Sequence, residues 1–174
     1  MKRLLIFLSA VSALGCQRPA RSENADSAGL TPAPAVCRAA DLEMSIEGSD
    51  AGAGQRGITF AMRNKGNAPC LTGGYPALRL ADSLGHSLDS IAVLQIASSY
   101  EPIAVSSPFS LAPDSAAYFQ ITFTGIPAGI TCYQADRLEL VPPGAADTLV
   151  YRTPIAPCGD HLNLSPVRQG RPPM

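Results

Sequence analysis

At 174 residues, 46% hydrophobic and 16% charged, the chain is long and apolar enough for one folded domain with flanking segments, which excludes a disordered protein. Fifteen glycines and sixteen prolines predict many turns and few long helices. A formal net charge of −1, with no run of like charges, argues against nucleic acid as a partner.

Residues 1–15 read as a signal peptide. Lys2 and Arg3 supply the positive start, "LLIFLSAVSA" the apolar stretch, and "LGC" the close. Ten apolar residues fall short of the roughly 20 that a membrane-spanning helix needs. Gly15 before Cys16 resembles the lipobox of bacterial lipoproteins, with Ala13 where leucine is more usual. The resemblance implies that Cys16 becomes the mature N-terminus, thioether-linked to diacylglycerol and held by acyl chains such as palmitate. Gln17, not aspartate, follows it, so the expected address is the outer membrane facing the periplasm in a cell with two membranes, and otherwise the outer face of the cell membrane. Residues 16–36 form the anchored tether: "QRPARSENADSAGLTPAPA" has one leucine, no aromatic residue and three prolines, too little apolar surface to offset ordering entropy. Its flexible-chain span is roughly 25 Å.

From Asp41 the hydrophobic period is two. Leu42, Met44 and Ile46 alternate with polar neighbours, "GSDAGAGQ" makes a turn centred near residue 51, and Ile58, Phe60 and Met62 resume the alternation. The pattern recurs at Leu78 and Leu80, at Phe119, Ile121 and Phe123, at Leu138 and Leu140, over Thr148 to Tyr151, and at Leu162 and Leu164. Seven or eight short strands with one apolar face each predict two antiparallel sheets packed face to face over residues 37–168. Residues 90–107 show no clean period and are assigned no element; residues 169–174, proline-rich and without apolar pattern, are expected to fray.

Without Cys16, four cysteines remain in an exported chain, and their even number predicts two disulfides, with three possible connectivities. Register selects among them. A hairpin across "PPGAAD" brings Cys132 opposite Pro157, one position from Cys158. The hairpin of residues 41–63 brings Cys37 opposite Lys65, five residues from Cys70. The expected bonds are Cys37–Cys70 and Cys132–Cys158. Zinc ligation wants far shorter cysteine spacing, and a nucleophilic Cys70 wants a base, whereas His86 and His161 both lie far from it in sequence.

"CRAADLEMSIEGSDAGAGQRGITFAMRNKGNAPCLTGGYPALRL", "SLAPDSAAYFQITF" and "PCGDHLNLSPV" together resemble the domain of unknown function 4232, a family of small exported bacterial domains, frequently lipoproteins. The family pattern includes a G-x-R/Q-x₇-N-x-G strand, matched from Gly54 to Gly66, and a P-C-x-L-x-G-Y-P turn carried by Cys70, Gly74, Tyr75 and Pro76. Ala77 stands where the family has glycine, and Asp89 to Ser107 has no counterpart. The resemblance implies an immunoglobulin-like sandwich and no catalytic residues.

Residue by residue, chemistry is sparse. His86, in a turn-rich hairpin, reads as a solvated loop residue, and Met44 and Met62 as core filling; a metal site using His86 and His161 is the alternative to a non-catalytic module. Asp82 with Asp89, or Asp136 with Glu139, could pair as acid and base only within a cleft. Tyr75 in "GGYP" is expected to pack its ring and bond a backbone group through its hydroxyl, whereas Tyr100 is the candidate contact residue of the irregular segment. The sequence therefore predicts a monomeric, membrane-anchored binding or structural module that uses a sheet edge or residues 90–107, not an enzyme, with no cofactor.

Overall fold

The computed structural model describes residues 34–96, 107–126 and 129–172. The signal peptide, Cys16, most of the tether, Tyr100 and the last two residues lie outside them. A single 3₁₀ turn, Ala39–Asp41, precedes eleven strands: β1 (Leu42–Gly52), β2 (Gln55–Asn64), β3 (Cys70–Thr72), β4 (Ala77–Ala81), β5 (Ala92–Gln95), β6 (Phe109–Leu111), β7 (Ala116–Thr124), β8 (Ala135–Val141), β9 (Leu149–Ile155), β10 (Cys158–Leu164) and β11 (Arg168–Gln169). The described fold is all-β. The larger sheet runs β1-β2-β7-β10-β5, with β11 also on β7; the smaller runs β4-β8-β9, and β3 pairs β6.

Alternation explains the core. Met62, Phe60 and Ile58 of β2 stand opposite Ala117, Phe119 and Ile121 of β7 on one face of the larger sheet. Leu80 of β4 and Leu138 and Leu140 of β8 fill the facing side from the smaller sheet, and all but half-buried Ile58 are fully enclosed in one cluster. Phe60 stacks on Phe119 with ring centroids 5.1 Å apart and meets Tyr151 of β9 edge-on at 5.9 Å, so one aromatic ring ties the two sheets together.

Four features depart from the sequence expectation. Apart from Thr148, just before β9, the seven runs of alternation fall within strands, but the described residues form eleven: β3, β6 and β11, of two or three residues, are too short to show a period, and β5 comes from the segment assigned no element. The larger sheet is not wholly antiparallel: β5, from the segment assigned no element, lies parallel to β10. Parallel pairing needs a long crossover, which the chain between Gln95 and Cys158 supplies. The first hairpin closes on Ala53 and Gly54, not near residue 51. Both have positive φ, +48° and +83°, as a two-residue type I′ turn requires, so "GSDAG" is strand although Ala51 is its one apolar residue. Finally, the tail does not fray at Gln169: Arg168 and Gln169 pair with Tyr118 and Ala117, Arg171 donates to the Glu47 carbonyl, and Pro172 is buried.

The hairpin of β8 and β9 has the expected register, Leu140 facing Leu149 and Leu138 facing Tyr151. A bulge then adds one residue on β9, where Thr153 and Pro154 stand against Asp136 of β8. That single step moves Cys132 from Pro157 to directly opposite Cys158, to which it is bonded. The Tyr133 N–H to Pro157 carbonyl and Gly159 N–H to Thr131 carbonyl bonds flank the pair at 2.9 and 2.8 Å. Cys37 is bonded to Cys70, their Cα atoms 4.8 Å apart, where the Cys37 N–H donates to the Leu71 carbonyl.

The glycines of "GGYP" differ in their demands. Gly73 has φ +131°, and a Cβ there would lie 3.1 Å from both the Pro108 Cα and the Ser107 carbonyl oxygen; Gly74, at φ +92°, has open space. Gly73→Ala is therefore expected to cost about 2 kcal/mol or more, and Gly74→Ala less, since only the first adds a clash with backbone to left-handed strain. Urea unfolding of the two variants checks the order; equal losses would contradict it.

Candidate functional site

Among the described residues, those singled out by sequence stand apart from one another in local pairs and disulfides. Cys37, Cys70, Cys132 and Cys158 are all in disulfides. His86 Nδ1 lies 3.0 Å from Asp82 Oδ2, and His161 Nδ1 lies 2.7 Å from Asp160 Oδ1, each an exposed local pair. Among the described residues no group of three or more histidine, cysteine or acidic side chains is placed to hold a metal ion. Glu139 is engaged by Arg79 across β4 and β8, and Asp89 accepts a hydrogen bond from the Ser87 hydroxyl. Tyr75 is half-buried, but its hydroxyl has no hydrogen-bond partner among the described residues, contrary to expectation.

Asp82 organises the loop after β4. Its Oδ1 accepts from the Leu84 and His86 N–H groups at 2.9 and 2.8 Å. The His86 N–H holds the carboxyl below the ordinary aspartate range, with the His86 ring adding to the effect against a desolvation cost. A depressed folded-state pKa stabilises above the unfolded value and loses that contribution as pH falls through the folded one. Carboxyl carbon titration is expected to place Asp82 below a model aspartate, and Asp82→Asn to remove this loop's acid sensitivity. An Asp82 that titrates like a free aspartate would show the turn bonds to be unimportant.

The concave surface lies elsewhere, at the mouth between the sheets beyond the turn-proximal end of the first hairpin. A hollow of about 490 Å³ lies there, with two smaller ones, about 300 and 230 Å³, on the outer face of β2 and β7 and around the hairpin turn; Arg56 lines all three. The largest has walls from both sheets: Ile46 of β1, Ile58 of β2 and Phe123 of β7 on one side, Pro154 and Ile155 of β9 on the other. Ile46 is 41% exposed, and Phe123 only 3%, so the apolar floor deepens toward the core.

Arg56 sits where the alternation would place another core residue. It has the parity of Ile58, Phe60 and Met62, faces Phe123 across the β2–β7 ladder, and stands opposite Ala51 of β1. An arginine on that face ends the core and leaves a cation over the opening. Its stem lies along Gly125, where a Cβ would come within 2.6 Å of its Cγ, Cδ and Nε atoms. The guanidinium has no hydrogen bond or ion pair among the described residues. Asp50, also at the rim, turns Oδ1 back onto the Ala51 N–H at 2.7 Å. Sequence reasoning missed this site although the signal was present: a charged residue at the core parity of a strand.

The family strand from Gly54 to Gly66 thereby divides into two roles. Arg56 opens the groove. Asn64, only 1% exposed, closes the far end: its Nδ2 donates to the Ala68 and Leu111 carbonyls at 2.9 and 3.0 Å, and its Oδ1 accepts the Gly66 N–H at 2.8 Å. A Cβ on Gly66 would sit 3.0 Å from that Oδ1, which accounts for the glycine two residues on.

A family model described as "Domain of unknown function (DUF4232)" matches residues 37–168. No curated protein and no solved structure matches the chain.

Proposed function

The chain belongs to the family described as Domain of unknown function (DUF4232), and from that premise we propose that it is a non-catalytic binding module of the bacterial cell envelope, taking its ligand in the groove beside Arg56. The observation that carries this reading is the unpartnered guanidinium on a core-facing strand position, above an apolar floor shared by both sheets. Arg56 is exposed there, so its guanidinium is open to an anionic occupant that lies on the apolar floor. Lipid attachment at Cys16, inferred from the lipobox resemblance, would hold the monomeric domain near the membrane by the tether of residues 16–36.

The test places a photo-crosslinking side chain in intact cells at Ser49, on the groove rim, or at Leu84, 79% exposed in the loop after β4. A discrete adduct from the Ser49 position that is absent from the Leu84 position, and weakened by Arg56→Gln, is the expected result. Equal capture from both positions would reject the groove as the binding surface. Loss of the adduct in a Cys16→Ala form would show that the anchor matters for the encounter.

A further inference from the structure

We propose that the occupant of this groove is an extended peptide segment that ends in a free carboxylate, paired to the edge of β1 and closed by Arg56; the inference rests on the groove being the binding site.

The charge specifies the group. A guanidinium presents a planar fork of N–H donors that fits the two oxygens of a carboxylate, and Arg56 enters with none of its donors committed within the described fold. Asp50 does not compete for it, because that carboxylate is turned onto the Ala51 N–H. Gly125 keeps the guanidinium in place by leaving room for the arginine stem, with no Cβ to push it aside.

The edges specify the backbone. Among the described residues β1 and β9 are both edge strands, and the groove lies between them. Pro154 removes a donor from the β9 edge at the groove wall, so that side is poorly suited to receive another strand. The β1 edge contains no proline. Its two-residue turn makes Gly52 and Gln55 the closing hydrogen-bonded pair, and the alternation from that pair points the N–H and C=O of Ser49 away from β2. A strand added there would have alternate side chains directed toward Ile46, Ile58 and Ile155, and its last residue near Arg56, which is the usual division between backbone affinity and pocket specificity.

The experiment follows the Ile46, Ile58 and Ile155 methyl resonances of the full chain during titration with three probes. These are an N-acetylated hexapeptide of alternating threonine and valine as the free acid, the same peptide as its C-terminal amide, and hexanoate. The acid is expected to shift these methyls with an affinity about tenfold or more above the amide, the range of a charge-assisted bond. Arg56→Gln should abolish the preference, and Gly125→Ala, which retains the arginine but displaces its stem, should reduce it. Acid and amide binding with equal affinity would overturn the carboxylate assignment while leaving the groove as a binding surface. Hexanoate binding as tightly as the acid peptide would overturn the peptide and keep the anion. No shift at these methyls with any probe would overturn both this inference and the groove reading on which it rests.

Discussion

Replacing all four described cysteines by alanine should leave the domain barely folded or unfolded at room temperature. The two bonds join residues 33 and 26 apart in sequence. On the chain-entropy model each restricts the unfolded chain by about 3.5–4 kcal/mol, so together they contribute about 7 kcal/mol, against a typical domain stability of about 5–15 kcal/mol. Single pairs should differ in what they release. Loss of Cys132–Cys158 leaves two flanking ladder hydrogen bonds that still hold the strands. Loss of Cys37–Cys70 leaves the chain before the 3₁₀ turn tied to β3 by backbone bonds to Leu71 alone among the described residues. Urea unfolding of the two double variants and the quadruple variant, each followed by near-ultraviolet circular dichroism, checks the ledger. A quadruple variant that keeps more than half of the parent's stability would show that the core, not the cystines, carries the fold.

Asn64→Ala is expected to be the most damaging single substitution outside the apolar core, at about 3–4 kcal/mol. Truncation strands the Leu111 carbonyl, whose bond is buried, removes the part-buried bonds to the Ala68 carbonyl and the Gly66 N–H, and leaves a cavity where a 1% exposed side chain stood; a buried partner left unmade costs about 1–3 kcal/mol by itself. Asn64→Asp preserves the shape and the bond to Gly66 but sets a carboxylate against two carbonyl oxygens. Burial and repulsion would raise the pKa of that carboxyl, so the variant's deficit should shrink as pH falls and the group becomes a neutral donor. Stability measured at pH 7 and near pH 4 separates the two causes. A deficit in Asn64→Asp that does not change with pH would mean the network has been lost for another reason.

Much of this was legible in the residues, and what was not has identifiable causes. The alternation of Ile58, Phe60 and Met62 fixed both the strand and its buried face, since period two has no other reading there. The β8–β9 register followed from a turn at Gly144, and the bulge was missed although Pro154, in the stretch of β9 that carries the extra residue, is the kind of residue that marks one. The Ala53–Gly54 turn was placed too early because "GSDAG" has the composition of a loop while pairing as a strand; its support comes from the partner strand, not from burial. β5 and β11 likewise exist through the neighbours they meet. Arg56 was readable in principle by parity, whereas its lack of a partner depends on where Asp50 turns, which belongs to tertiary structure.

The bulge after Ala135 also bears on how the chain is oxidised. Without that extra residue the hairpin would close with Cys132 facing Pro157, and a one-residue slip turns a side chain to the opposite face of the sheet. The bulge sets Cys132 and Cys158 directly opposite each other with Cα atoms 3.8 Å apart, so the native register is the one that favours this cystine most. Closing this bond therefore selects for the native pairing of β8 with β9 wherever the chain meets an oxidant and a thiol that can exchange with it.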